Sequence, residues 1–187
     1  KFSLLRNTEG KSFTMDEYAE KVKETQKDKD DKVVYLYTND TEEHHSLIEN
    51  ATSKGYDVLV LDGPLAPHLV SKLEQDLTNT FFARIDADTI EKLIDKGEEV
   101  PSKLTKEDEE ALKPIIEEVV HKAKFTVNFQ SLSETDSPMQ ITEAEFMRRM
   151  KEQQAMGGGA MGFMGTMPEM YNLVVNSNHP LISKILG

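Results

Sequence analysis

The sequence contains no cysteine, so neither a disulfide framework nor a thiolate metal site can form. It also lacks an apolar run of the roughly 20 residues that a membrane-spanning helix needs. Basic residues are scarce, because 22 lysines and arginines stand against 34 aspartates and glutamates, for a net charge of -12. Without a basic surface to neutralise phosphates, nucleic-acid binding is disfavoured. We therefore expect a protein of a reducing compartment, the cytoplasm, that binds neither membranes nor nucleic acids.

Residues 1–97 alternate strand patterns with helix patterns. Thr14 followed by Glu17 predicts a capping box at a helix start, and Thr41 predicts the N-cap of another helix. Runs with apolar residues on both faces are typical of a sheet that helices cover on both sides. We therefore predict an α/β unit with a mostly parallel sheet flanked by helices. The runs that predict strands are Phe2–Leu5, Val33–Tyr37, Val58–Leu61 and Phe81–Ile85.

A charged stretch with glycine and proline places a domain boundary between this unit and residues 98–187. Thr105 predicts the start of an acidic helix, and Pro114 inside it predicts either a kink or a later start. Thr142 predicts the start of an amphipathic helix. The second unit is therefore predicted to be α+β. Its remaining patterns predict strands at residues 125–129 and 170–175 and a helix from Pro180.

Methionine is concentrated near the carboxyl end, where eight of the nine methionines lie between Met139 and Met170. Glycines at residues 157–165 are interleaved with them and oppose a regular helix or strand. Thioether side chains adapt to varied apolar partners. The preceding helix carries Phe146 and Met150 one turn apart, with charged residues on its opposite side. This apolar side either packs into the protein's own core or contacts other polypeptides.

Four segments resemble heat-shock protein 90 chaperones of the bacterial HtpG type, and they follow the family's order over essentially the whole chain. They are Lys1–Lys11, Tyr56–Asp62, Phe146–Lys151 and Asn176–Leu181. The resemblance implies that residues 1–97 are the small α/β/α part of the middle segment. It implies that residues 98–187 are a C-terminal domain cut short before the main dimerisation helices. The start at Lys1 without an initiator methionine agrees with a piece of a longer protein.

The resemblance implies part of an ATP-driven homodimeric chaperone that assists the folding of partly folded client proteins. ATP with Mg would bind in an N-terminal domain outside this chain, so the chain itself would be no enzyme and would hold no cofactor or metal. Phe146 and Met150 match the family's exposed amphipathic helix and would contact clients. From composition we extend this client-contact prediction to Met147, Met156, Met161, Phe163 and Met164.

Two other functions remain open at this stage. Asp86 and Asp88 follow the fourth predicted strand, near the carboxyl end of the sheet where α/β proteins bind ligands. Asp88 fits better as the N-cap of the next helix. His45 and Glu49 lie one helical turn apart and could hold a metal, although two ligands are too few for a closed site. The other alternative is a purely structural dimerisation or linker region.

Overall fold

The computed structural model describes residues 4–156 and 169–186. The chain divides into two compact units, residues 1–97 and residues 98–187. Within the described ranges, no helix combines the length and the apolar character needed to cross a membrane.

The first unit is built around a three-stranded parallel sheet with the strand order β4-β3-β5. A two-stranded antiparallel hairpin, β1 with β2, precedes the sheet. The parallel sheet with intervening helices confirms the predicted α/β class. The elements of this unit are β1 (Leu5–Arg6), β2 (Ser12–Phe13), α1 (Met15–Val22), β3 (Val33–Thr38), α2 (His45–Ser53), β4 (Val58–Val60), α3 (Ala66–Asp76), β5 (Thr80–Arg84) and α4 (Ile90–Leu93).

The central strand β3 sends side chains into two separate apolar clusters because successive residues of a strand point to opposite faces. Tyr35 and Tyr37 pack in a cluster with Tyr18 of α1. Val34 and Leu36 pack in the other cluster, together with residues of α2 and α4. Both faces of the sheet are therefore buried, which explains why the strands are apolar without alternation.

Two predicted helix starts in the first unit had different outcomes. Thr14 and Glu17 form the predicted capping box, in which the Thr14 amide donates to Glu17 Oε2 at 2.8 Å. The prediction for Thr41 was wrong, because α2 begins only at His45. The Asp40 carboxylate accepts hydrogen bonds from two following backbone amides and so stabilises a turn ahead of the helix.

The second unit has a mixed sheet with the strand order β6-β8-β7, in which β6 runs parallel and β7 antiparallel to β8. Helix α5 and the short helix α7 pack on one face, where Leu112, Ile116 and Ile182 join the core cluster. This arrangement confirms the predicted α+β class. The elements are α5 (Lys106–Val119), β6 (Phe125–Gln130), β7 (Met139–Thr142), α6 (Glu145–Met156), β8 (Tyr171–Asn176) and α7 (Pro180–Ser183).

Thr105 caps α5 as predicted, and the helix runs through Pro114 from Lys106, so it does not start late. The predicted helix start at Thr142 was wrong. Thr142 is the buried last residue of strand β7, and α6 begins three residues later at Glu145. The strand itself was missed, because a run of four residues with only one β-branched aliphatic side chain gives little periodic signal.

Candidate functional site

Helix α6 carries an exposed apolar side, which we call the α6 apolar face and define as Phe146, Met147 and Met150. Phe146 is 71% exposed, and the two methionines are half-buried. Met150 lies one turn after Phe146 and therefore on the same side of the helix. A large aromatic side chain left this far in solvent contributes little to its own domain's core.

The opposite side of α6 is charged and buried. Arg148 lies two residues after Phe146, roughly 200° around the helix, and is only 4% exposed. Its guanidinium binds the Glu145 carboxylate, which also accepts a 2.6 Å hydrogen bond from Arg149 Nε. Arginine is rarely buried unless it is paired, and Glu145 supplies this pair. The helix is therefore turned with a charged side inward and Phe146 outward.

Lys151 connects α6 to the sheet of the second unit. Its ammonium lies 2.5 Å from Glu143 Oε1, just after β7, and 5.4 Å above the ring centroid of Tyr171 in β8. The hydrogen bond to Glu143 is the main cause that raises the pKa of Lys151, so the ammonium form is favoured. Lys151 thus makes a cation–π contact and an ion pair at once.

The predicted client-contact residues divide into two groups. Phe146, Met147 and Met150 lie together on the α6 apolar face. Met156 ends α6, but its side chain lies outside the described part of the structure. Met161, Phe163 and Met164 lie in the segment 157–168, outside the described residues, so their roles stay predictions.

The sequence did not predict that Arg148 and Lys151 face the protein. Their charge indicated the solvated side of an amphipathic helix, because such residues are usually exposed. The sequence nevertheless contained an indication that these two residues face inward. Glu143 and Glu145 stand at the start of the helix, within reach of the cations on the following turns. Carboxylates placed in this way can pair with a basic side that is turned inward.

The acidic loop of the first unit is occupied by the chain's own groups. Arg84 binds Asp86 with two hydrogen bonds of 2.5 and 2.6 Å, and His44 Nε2 lies 3.6 Å from the same carboxylate. Asp88 accepts a hydrogen bond from the amide of Thr89 at 2.8 Å. A small ligand at this edge of the sheet would therefore have to displace an intramolecular cation.

The possible metal site at His45 and Glu49 rests on an exposed pair. The two side chains approach to 3.5 Å on the surface of α2. Across residues 4–156 and 169–186, no three histidine, aspartate or glutamate side chains gather as a metal site would require.

Comparison with known proteins decides the family. The family model described as Hsp90 protein matches residues 2–187. The chain belongs to the Hsp90 family. This Hsp90 chain is 42% identical over 190 residues to a protein named chaperone protein htpG from Bacteroides fragilis (strain 638R). It is 44% identical over 190 residues to chaperone protein HtpG from Porphyromonas gingivalis (strain ATCC 33277).

A more distant relative, chaperone protein HtpG from Bdellovibrio bacteriovorus, is 28% identical over 185 residues. The Bacteroides and Porphyromonas matches cover all of the present chain and 28% of the length of each relative. The Bdellovibrio match covers 94% of the chain and 28% of that relative. The matches confirm the resemblance to bacterial Hsp90 chaperones, and this Hsp90 chain corresponds to 28% of such a protein.

Proposed function

We propose that this Hsp90 chain supplies client contact within a molecular chaperone, and that the α6 apolar face is the surface that binds partly folded proteins. The observation that carries the proposal is the 71% exposure of Phe146 on a helix whose opposite side buries Arg148. A helix turned this way does not use its phenyl ring to complete its own core. The ring remains available to an apolar side chain of another polypeptide.

The chemistry of this face suits varied partners. Methionine is unbranched and polarisable, so Met147 and Met150 can adapt their shape to different apolar side chains around the Phe146 ring. Burial of one such aromatic side chain contributes on the order of 1.5–3 kcal/mol. One contact of this size gives weak, reversible binding, as a protein that must release its clients requires.

In this proposal, nucleotide binding, ATP hydrolysis and dimerisation belong to the whole protein. Nucleotide with Mg binds in a part of the protein other than residues 1–187, and ATP hydrolysis takes place there. The chain itself therefore performs no catalysis and holds no cofactor. The complete chaperone acts as a homodimer in the cytoplasm. Support comes from the relatives, each named a chaperone protein and each longer than this chain.

The test is the double substitution Phe146→Ser with Met150→Ser in the 187-residue chain. We expect affinity for a fluorescently labelled, permanently unfolded polypeptide to fall about 10- to 100-fold, because about 1.4 kcal/mol corresponds to tenfold. The free energy of unfolding should change by less than about 1 kcal/mol, since an exposed ring contributes little to folding. Fluorescence anisotropy measures the binding, and urea titration followed by circular dichroism measures the stability.

A matched control uses another exposed apolar residue of the same unit. Val119 of α5 is 84% exposed, so Val119→Ser removes an exposed apolar side chain away from α6. The control should leave client affinity unchanged. An equal loss in the control would mean that the binding is unspecific. A stability loss of about 2–5 kcal/mol in the double variant would instead assign Phe146 and Met150 to the core.

A further inference from the structure

Two charged side chains, Arg148 and Lys151, lie on the inward side of α6 in the part of the helix whose side chains the structure describes. Arg148, which is nearly fully buried, pairs with Glu145 of the same helix. Lys151 reaches out of the helix to Glu143 and to the ring of Tyr171. Because these inward-facing groups are charged, their ion pairs and hydrogen bonds depend on direction in a way that apolar packing does not. The Lys151 contacts can therefore fix the rotation of the helix about its own axis, whereas the Arg148–Glu145 pair lies within α6 and turns with it.

Lys151 is well placed to set that rotation. At roughly 3.6 residues per turn it lies about 140° around the helix from Phe146. Its two partners stand on different elements, since Glu143 directly follows β7 and Tyr171 begins β8. An ammonium held at 2.5 Å from a carboxylate and 5.4 Å above a ring has little freedom to move sideways. The Lys151 side chain is partly buried, with 26% of its surface exposed, so solvent screens these contacts less than at an open surface.

We propose that Lys151 is a positioning residue, which by joining Glu143 to Tyr171 holds α6 rotated with Phe146 outward and so presents the α6 apolar face to clients. The inference rests on the proposed function for the role of that face, but the orientation of the helix can be measured without any client. Without the two contacts of Lys151, the hydrophobic effect favours rotation of the Phe146 ring toward the sheet. The ion pair and the cation–π contact oppose that rotation.

The test uses a reporter that the sequence makes available. The chain contains no tryptophan, so Phe146→Trp introduces a single indole whose emission wavelength reports its exposure to water. In this background, Lys151→Met keeps an apolar stem of similar length and removes the charge. We expect the emission of the introduced indole to move to shorter wavelength. Affinity for the labelled unfolded polypeptide should fall about tenfold, because fewer molecules present the apolar face.

Three further variants separate positioning from a general loss of structure. Lys151→Arg retains the charge, the ion pair and a cation that stacks on the ring, so it should restore both signals. Lys113→Met removes an exposed lysine from α5 and should change neither. Tyr171→Leu keeps an apolar side chain but removes the cation–π partner, and it should shift the emission in the same direction as Lys151→Met.

Each outcome bears on the inference. An unchanged emission in both Lys151→Met and Tyr171→Leu would overturn the positioning role. This holds whether or not the affinity for the unfolded polypeptide changes. A shift that Lys151→Arg fails to restore would overturn it as well, since packing and not charge would then be responsible. A restored shift supports the positioning role even if Phe146→Ser with Met150→Ser leaves client binding unchanged. In that case the proposed function fails and the positioning inference stands.

Discussion

Replacement of Phe82 by alanine is expected to destabilise the first unit by about 3–5 kcal/mol. Phe82 lies in β5 with none of its surface exposed. Its ring packs edge-on against Tyr35 of β3, with centroids 5.1 Å apart, and Tyr35 packs edge-on against Tyr18 of α1 at 5.0 Å. Such pairs add to the energy of area burial. Truncation would leave a cavity where three elements of the unit meet.

The neighbouring residue provides a matched control. Phe81 lies next to Phe82 in the same strand but points to the other face and is 42% exposed. Phe81→Ala should therefore cost less than half as much as Phe82→Ala, since less apolar area is lost and no enclosed cavity forms. Urea unfolding followed by circular dichroism measures both changes. Equal losses for the two variants would contradict the partial exposure of Phe81.

The core of the first unit was predictable from sequence because its strands carry a strong apolar signal. Apolar residues on both faces of β3 and β4 can only be satisfied by helices on both sides. The errors lie where local signals compete. A threonine before a helical pattern predicts an N-cap, but at Thr41 the Asp40 carboxylate stabilises a turn first. At Thr142 the hydroxyl belongs to an edge strand, β7, that is too short to show a period.

The candidate site was predictable only in part. The exposure of Phe146 followed from the family resemblance, whereas periodicity alone favoured a buried apolar side. The burial of Arg148 was not predicted, because it depends on pairing with a carboxylate in the same helix. Long charged side chains are usually solvated, and only the folded structure shows where a pair offsets the loss of water.

The second large effect is expected from Asn176→Ala, which should destabilise the second unit by at least about 2 kcal/mol. Asn176 is fully buried at the end of β8. Its Oδ1 accepts hydrogen bonds from the amides of Leu132 and Asn178, at 3.2 and 3.0 Å, and its Nδ2 donates to the carbonyl of Ser133 at 2.7 Å. Alanine would leave the buried amides of Leu132 and Asn178 without these partners, at roughly 1–3 kcal/mol each, while water can reach the partly buried carbonyl of Ser133.

The loss of stability in Asn176→Ala should extend beyond the loop that Asn176 stabilises. Asn178, which Asn176 orients, donates to the carbonyls of Pro101 and Leu132 and accepts a 2.8 Å hydrogen bond from the amide of Lys103. The two asparagines therefore tie the segment before α5 to the loop after β6. Hydrogen exchange should show faster exchange at the amides of Leu132 and Lys103 in Asn176→Ala, in proportion to the local stability lost.

Asn128→Ala is the matched control for this network. Asn128 lies in the middle of β6 with its side chain exposed, and it donates to Asn172 Oδ1 at 3.2 Å. Water can replace an exposed hydrogen bond of this kind, so the free energy of unfolding should change by no more than about 0.5 kcal/mol. Urea titration measures both variants. Comparable losses for the two variants would contradict the claim that burial sets the cost of losing these hydrogen bonds. A loss confined to Asn176→Ala would show that buried backbone groups depend on this one side chain.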